Sequence, residues 1–163
     1  MGRRTRMGRW ETGARAGVRR LVAVSALVMV LATWIGADAA RAGEHYLDID
    51  ITNQVLSEVV DGNVVYQTHI STGNGEWYWY EGEWWLAETP RGWFEIYWKD
   101  PGWVEGSLGW MYNAMYFIGG FAIHGSTSVP DYPASHGCVR VTLEDSDALF
   151  ERIPVGTPVV VHD

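Results

Sequence analysis

Beyond residue 43 the apolar positions recur mostly at every second residue, the period of strands that bury one face. Residues 45–51 place Leu47, Ile49 and Ile51 on one side and Asp48 and Asp50 on the other. Residues 55–60 and 64–70 are rich in β-branched side chains and flank Asp61-Gly62-Asn63, which predicts a hairpin. Residues 76–86 hold Trp77, Tyr78, Trp79 and Tyr80, then Glu81-Gly82-Glu83, then Trp84 and Trp85. That order predicts a second hairpin with large rings on both faces. Thr89-Pro90-Arg91-Gly92 predicts a turn, and residues 93–98 a strand that Asp100-Pro101-Gly102 closes. Residues 102–109 read as a loop, while 111–117 and 121–123 read as strands leading into His124-Gly125.

The period changes once. Thr142 stands where a helix cap belongs, with Glu144 and Asp145 in the first turn. Leu149 and Phe150 continue the apolar stripe, and Pro154 stops the helix by Ile153. Residues 157–162 form a last β-branched strand. These elements predict a mainly β domain with one helix packed on it, near its C-terminal end.

Residues 1–42 follow another pattern. They hold eight of the twelve basic residues against Glu11 and Asp38, then an apolar run over 21–35, then Ala37-Asp38-Ala39 and Ala40-Arg41-Ala42. A basic stretch, a short apolar stretch and an Ala-x-Ala exit make a secretory signal, with an uncleaved membrane anchor as the alternative. The apolar run is shorter than the ~20 residues a spanning helix needs. Either reading puts residues 43–163 outside the cytoplasm.

Residues 43–163 carry four basic against eighteen acidic residues, a net charge of −14. Binding a phosphate backbone needs a basic stripe, so nucleic acid is excluded as a partner. The chain has a single cysteine, Cys138, and therefore no internal disulfide. A lone thiol in an exported protein asks for a reactive role or an intermolecular bridge.

The segment around that thiol reads Ser135-His136-Gly137-Cys138-Val139-Arg140, with His124 fourteen residues upstream. A free thiol has a pKa near ~8.5 and needs a neighbouring base or positive charge to become a competent nucleophile. His124 and His136 are both candidates for that base. Gly137 lets the backbone turn tightly, so that N–H groups around Gly137 and Cys138 point at the oxyanion of an attacked carbonyl. Three plainer readings compete. Cys138 is a small core residue; Cys138, His136 and His124 ligate zinc; or Arg140 is an ordinary surface charge rather than an anchor for a substrate carboxylate. Poor core neighbours weigh against the first, and the lack of a Cys-x-x-Cys pair or fourth ligand against the second.

Taken together, Ile123-His124-Gly125, the Ser135–Arg140 block, the helix and Val155-Gly156-Thr157-Pro158-Val159-Val160-Val161 resemble the L,D-transpeptidase catalytic domain of the YkuD type. Weaker likeness lies at Ser71-Thr72-Gly73 and from Thr89 to Ile96, so the resemblance spans residues 45–162. It implies a β-sandwich-like single domain over 43–163 and a two-step acyl transfer on peptidoglycan tetrapeptide stems. Cys138 would be the nucleophile and His124 the proton acceptor and donor, oriented by the Gly125 carbonyl, with Gly137 supplying an oxyanion N–H. Ser135, His136 and Arg140 would bind substrate, and Gly119 and Gly120 would offer backbone contacts. No metal or organic cofactor is implied, the chain is expected to act as a monomer, and acylation by a carbapenem is expected at Cys138. Residues 125–134 are short for this family and read as a compact turn. The aromatic stretch before Thr89 reads as a packed lid or as a sugar-stacking platform.

Two other activities remain open on the sequence. One is an L,D-carboxypeptidase, in which water takes the same thioester. The other is a non-catalytic, aromatic-rich wall-binding module with an inert cysteine.

Overall fold

The computed structural model describes residues 44–163, so the expected leader lies outside the described residues. The strands are β1 (His45–Asp50), β2 (Val55–Val60), β3 (Asn63–His69), β4 (Trp77–Tyr80), β5 (Glu83–Leu86), β6 (Gly92–Glu95), β7 (Trp98–Gly106), β8 (Gly109–Ile118), β9 (Phe121–Gly125), β10 (Val139–Val141) and β11 (Pro158–His162). Among the described residues one helix, α1, spans Leu143–Arg152. A five-stranded sheet runs β3-β2-β1-β11-β6, a four-stranded sheet runs β10-β9-β8-β7, and β4 and β5 pair only with each other.

The core lies between the two larger sheets and under α1. Leu47, Ile49, Leu56 and Val159 come from the first sheet. Met115, Ile123, Val139 and Val141 come from the second, and Leu149 comes from α1; all are fully buried. The period-two pattern therefore aligns the apolar faces as expected, although Ile51 falls in the turn after β1 and is only half-buried.

Asp100-Pro101-Gly102 does not end a strand. It sits inside β7 as a bulge, where the register slips between Asp100↔Ala114 and Trp103↔Tyr112. Pro101 has no N–H to give the ladder, and Gly102 takes φ +72°, so the extra residues bow out while the Gly102 N–H donates to Asn113 Oδ1 at 2.7 Å. Residues 102–109, expected as a loop, instead carry β7 onward into a hairpin with β8 that turns at Ser107-Leu108.

Thr142 caps α1, its Oγ1 accepting from the Asp145 N–H at 3.1 Å. The Asp145 carboxylate then ties the helix to β3, accepting from Tyr66 Oη at 2.6 Å and Thr68 Oγ1 at 2.7 Å. At the other end, Lys99 Nζ donates to the carbonyls of Phe150 and Ile153, closing the end opposite the cap with a positive charge.

Candidate active site

Strands β9 and β10 run parallel, with Val139 across from Ile123, Arg140 from His124 and Val141 from Gly125. Side chains alternate along a strand, so Ile123, Val139 and Val141 enter the core while Ala122, His124 and Arg140 belong to the opposite face. Cys138 immediately precedes β10 on that same face and packs against the cluster of Met111, Ala114 and Ala122. Two short segments, distant in sequence, are thus brought together by one pair of strands.

His124 is 5% exposed, and its Nδ1 lies 3.0 Å from the Gly125 carbonyl oxygen. A carbonyl can only accept, so Nδ1 carries the hydrogen and Nε2 is left with its lone pair. Burial pulls the imidazole pKa down to about 4; the Gly125 carbonyl opposes this and nearby Arg140 adds to it. Burial pushes the Cys138 thiol up, against the smaller opposing effects of the Ala122 amide and Arg140. At neutral pH the two groups therefore stand as neutral thiol and neutral imidazole. The half-buried sulfur faces the Gly120 carbonyl oxygen at 3.9 Å.

The turn before Cys138 is held at several points. Ser135 Oγ donates to the Cys138 carbonyl at 2.6 Å and accepts from the Gly137 N–H at 2.9 Å. The Gly137 N–H, expected to face an oxyanion, is thereby committed to Ser135, and Ser135 acts as a brace of the loop. Gly137 itself has φ +128°, and a Cβ there would fall 2.4 Å from Phe121 Cε1 and 2.7 Å from the Glu88 carbonyl oxygen. No other residue fits.

Two supports had no signal of their own in the sequence. Thr89 Oγ1 accepts from the Gly73 N–H at 2.9 Å and donates to the Gly137 carbonyl at 2.8 Å. Gln54 reads both sides of Thr72, its Oε1 accepting from the Thr72 N–H at 2.9 Å and its Nε2 donating to Thr72 Oγ1 at 2.7 Å. The 71–73 segment then meets the Ser135–Arg140 segment through the bridges Ser71↔Arg140 and Gly73↔Ser135. Residues 126–134 are indeed compact: the Pro130 carbonyl meets His69 Nε2 at 3.0 Å and the Tyr132 carbonyl meets Ser71 Oγ at 2.8 Å.

A groove of about 640 Å³ opens over Cys138. His124, Ser135, His136, Arg140 and Gly120 line it together with Cys138, whereas Gly119 lies in the turn outside it, its carbonyl accepting from Tyr97 Oη. Tyr78, Tyr80 and Trp85 of the β4–β5 hairpin form one wall, and Leu108 and Trp110 at the β7–β8 tip form another. The hairpin docks through Tyr78, whose ring meets the exposed His136 ring edge-on at 4.6 Å. His136 is therefore engaged with the wall. Tyr116, which the sequence did not single out, also faces the groove; burial first, then Asp100 and Cys138, raise its phenol pKa.

Of the four cations among the described residues, Arg91 pairs with Asp163, Arg152 with Glu58, and Lys99 caps the helix. Arg140 lines the groove with no ion-pair partner among the described residues. Also among them, no three His, Cys, Asp or Glu side chains converge as a metal site would require.

The family model described as the L,D-transpeptidase catalytic domain (YkuD) matches residues 44–161. The crystal structure of the L,D-transpeptidase from Xylanimonas cellulosilytica is similar at 42% identity and a TM-score of 0.72, over 74% of this chain and 61% of that one. An L,D-transpeptidase from Stackebrandtia nassauensis aligns at 26% identity and 0.63, over 74% and 56%. One from Mycobacterium smegmatis, at 21% and 0.61 over 74% and 59%, shares the fold. The matched region thus spans less than two thirds of each of these chains. No curated protein sequence matches. The chain belongs to the L,D-transpeptidase catalytic domain family.

Proposed function

We propose that this chain is a peptidoglycan L,D-transpeptidase that works outside the cytoplasm and forms 3→3 cross-links through a thioester on Cys138. The observation that carries the reading is the convergence of Cys138, His124 and the unpaired Arg140 on one groove of about 640 Å³.

In the first half-reaction Cys138 Sγ attacks the carbonyl of the third, L-centred residue of a tetrapeptide stem, and His124 Nε2 takes the thiol proton as the C–S bond forms. A neutral base lining the same groove as a neutral thiol suits this order, because the proton moves with the attack and no charged pair has to be kept buried beforehand. The oxyanion falls to the Cys138 N–H, since Ser135 holds the Gly137 N–H. Collapse breaks the C–N bond, and His124 returns the proton to the departing D-alanine amine. In the second half-reaction the side-chain amine of another stem attacks the thioester, an amide forms, and the sulfur regains a proton. Arg140 holds a stem carboxylate by its planar fork, while Tyr78 and Trp85 wall the cleft against water.

Purified protein incubated with tetrapeptide stems and followed by mass spectrometry tests the assignment. Cross-linked dimers are expected; tripeptide alone reassigns the chain as a carboxypeptidase, and unchanged turnover in Cys138→Ala removes the mechanism. An intact-mass increase after a carbapenem, absent in Cys138→Ala, is the companion result.

A further inference from the structure

The β4–β5 hairpin has two faces with different fates. Direct pairing of Tyr78 with Trp85 and of Trp79 with Trp84 fixes which rings share a face. Tyr78, Tyr80 and Trp85 turn toward the groove. Trp77, Trp79 and Trp84 share the other side, and they are 65%, 59% and 62% exposed. A lone two-stranded ribbon needs an anchor, and this one is anchored elsewhere. Tyr78 sits on His136, and reciprocal backbone bonds at its base join Gly75 to Ala87 and Ala87 to Glu76. Beyond the Trp79–Trp84 ring contact within the ribbon, the outer tryptophans stand largely in water, and three large exposed rings on one face mark a binding surface.

We propose that this outer face binds a glycan strand, a neutral polymer of N-acetylated amino sugars, and holds it beside the catalytic groove. Charge chooses the ligand class. Glu76, Glu81 and Glu83 rim the rings and are exposed, and no basic residue occurs between residues 74 and 90. Such a rim repels anionic lipid headgroups, and it repels a second copy of a domain whose net charge is −14. A sugar ring has no charge to repel. Its C–H faces pack flat on an indole, and its hydroxyl and amide hydrogens are donors for the surrounding carboxylates. Trp79 and Trp84 stand edge-on at 5.5 Å, which offers two differently tilted platforms to successive sugars. Continuity supplies the geometry: one ribbon, a few ångströms thick, separates this face from the cleft that the proposed function assigns to stem peptides. Only the choice of polymer rests on that reading.

Binding of the Cys138→Ala protein to a neutral N-acetylglucosamine hexasaccharide tests the proposal. Titration calorimetry and tryptophan fluorescence read it. The expected result is binding that weakens at least tenfold in Trp77→Ala/Trp79→Ala/Trp84→Ala. Acylation of the same triple variant, built on active Cys138, by a short soluble tetrapeptide should stay within twofold of wild type. Trp77→Ala and Trp84→Ala alone, each at an exposed site, should give intermediate losses if the triple variant folds poorly. Equal glycan binding in all variants overturns the proposal. So does binding to phosphatidylglycerol vesicles in place of glycan, or a dimer in sedimentation that the triple variant abolishes. Because the binding protein lacks the nucleophile, failure here is distinguishable from failure of the transpeptidase assignment, which only the acylation assay reports.

Discussion

As pH falls from neutrality, the unfolded chain protonates His124 near its ordinary value of 6.5, while the buried imidazole of the native domain resists until about 4. Between those values the unfolded state binds the additional proton, so stability falls as the solution is acidified. The contribution is intact above about 6.5, is lost progressively down to about 4, and amounts to about 3 kcal/mol. His124→Gln removes the titration and keeps an amide N–H to give the Gly125 carbonyl. Urea unfolding of both proteins across that window isolates the effect. Other groups cancel in the difference, including His162, whose raised pKa acts with the opposite sign, favouring the fold at low pH and losing that effect as pH rises. The variant's curve should be flatter by about 3 kcal/mol. Under the proposed mechanism the same imidazole sets the acid limb of Cys138 acylation, whose half-point is then expected near 4 and not 6.5. Parallel stability curves, or an acid limb at the ordinary histidine value, would refute the buried neutral base.

Three further outcomes follow from the supports of the site. Thr89→Val leaves the Gly73 N–H and the Gly137 carbonyl without their partner and should cost about 3 kcal/mol in thermal or chemical unfolding, whereas Thr89→Ser should retain most of that stability. Gly125→Ala puts a methyl group 2.9 Å from Ser146 Cβ and 3.1 Å from Tyr112 Cδ1. A loss of about 1–3 kcal/mol is expected, with slower acylation as the His124 strand shifts. Arg140→Gln removes a positive neighbour of His124, so the acid limb of the pH–rate profile should move upward and KM for a stem peptide should rise.

The Ser135–Arg140 block stood out because a reactive thiol needs a base and a tight turn close by, and few residue types supply them. What each group does there was less readable. Gly137 looked like an oxyanion donor because a glycine's freedom is visible in sequence, but the bond that Ser135 makes to its N–H is not. Proline and glycine mark a bulge as readily as a turn, and for that reason Asp100-Pro101-Gly102 read as a strand end when it bends β7 in mid-course. Thr89 and Gln54 work on partners sixteen to forty-eight residues away, beyond the reach of any local pattern. The aromatic hairpin was recognised, yet alternation says only that a ribbon has two faces. It cannot say that one set of rings walls a groove while the other stays in water.

The parallel pairing of β9 and β10 has a consequence for how much this domain tolerates change. Both ends of the intervening span are fixed by ladder bonds, which continue past the strands as the Ser126 N–H meets the Val141 carbonyl at 2.9 Å. The spacing of the Cys138 and His124 segments is thus independent of how many residues link them. Residues 127–129, upstream of the anchor at Pro130, are therefore where a grafted reporter peptide or affinity tag is expected to leave the Cys138–His124 spacing unchanged, which an unaltered rate of Cys138 acylation would check.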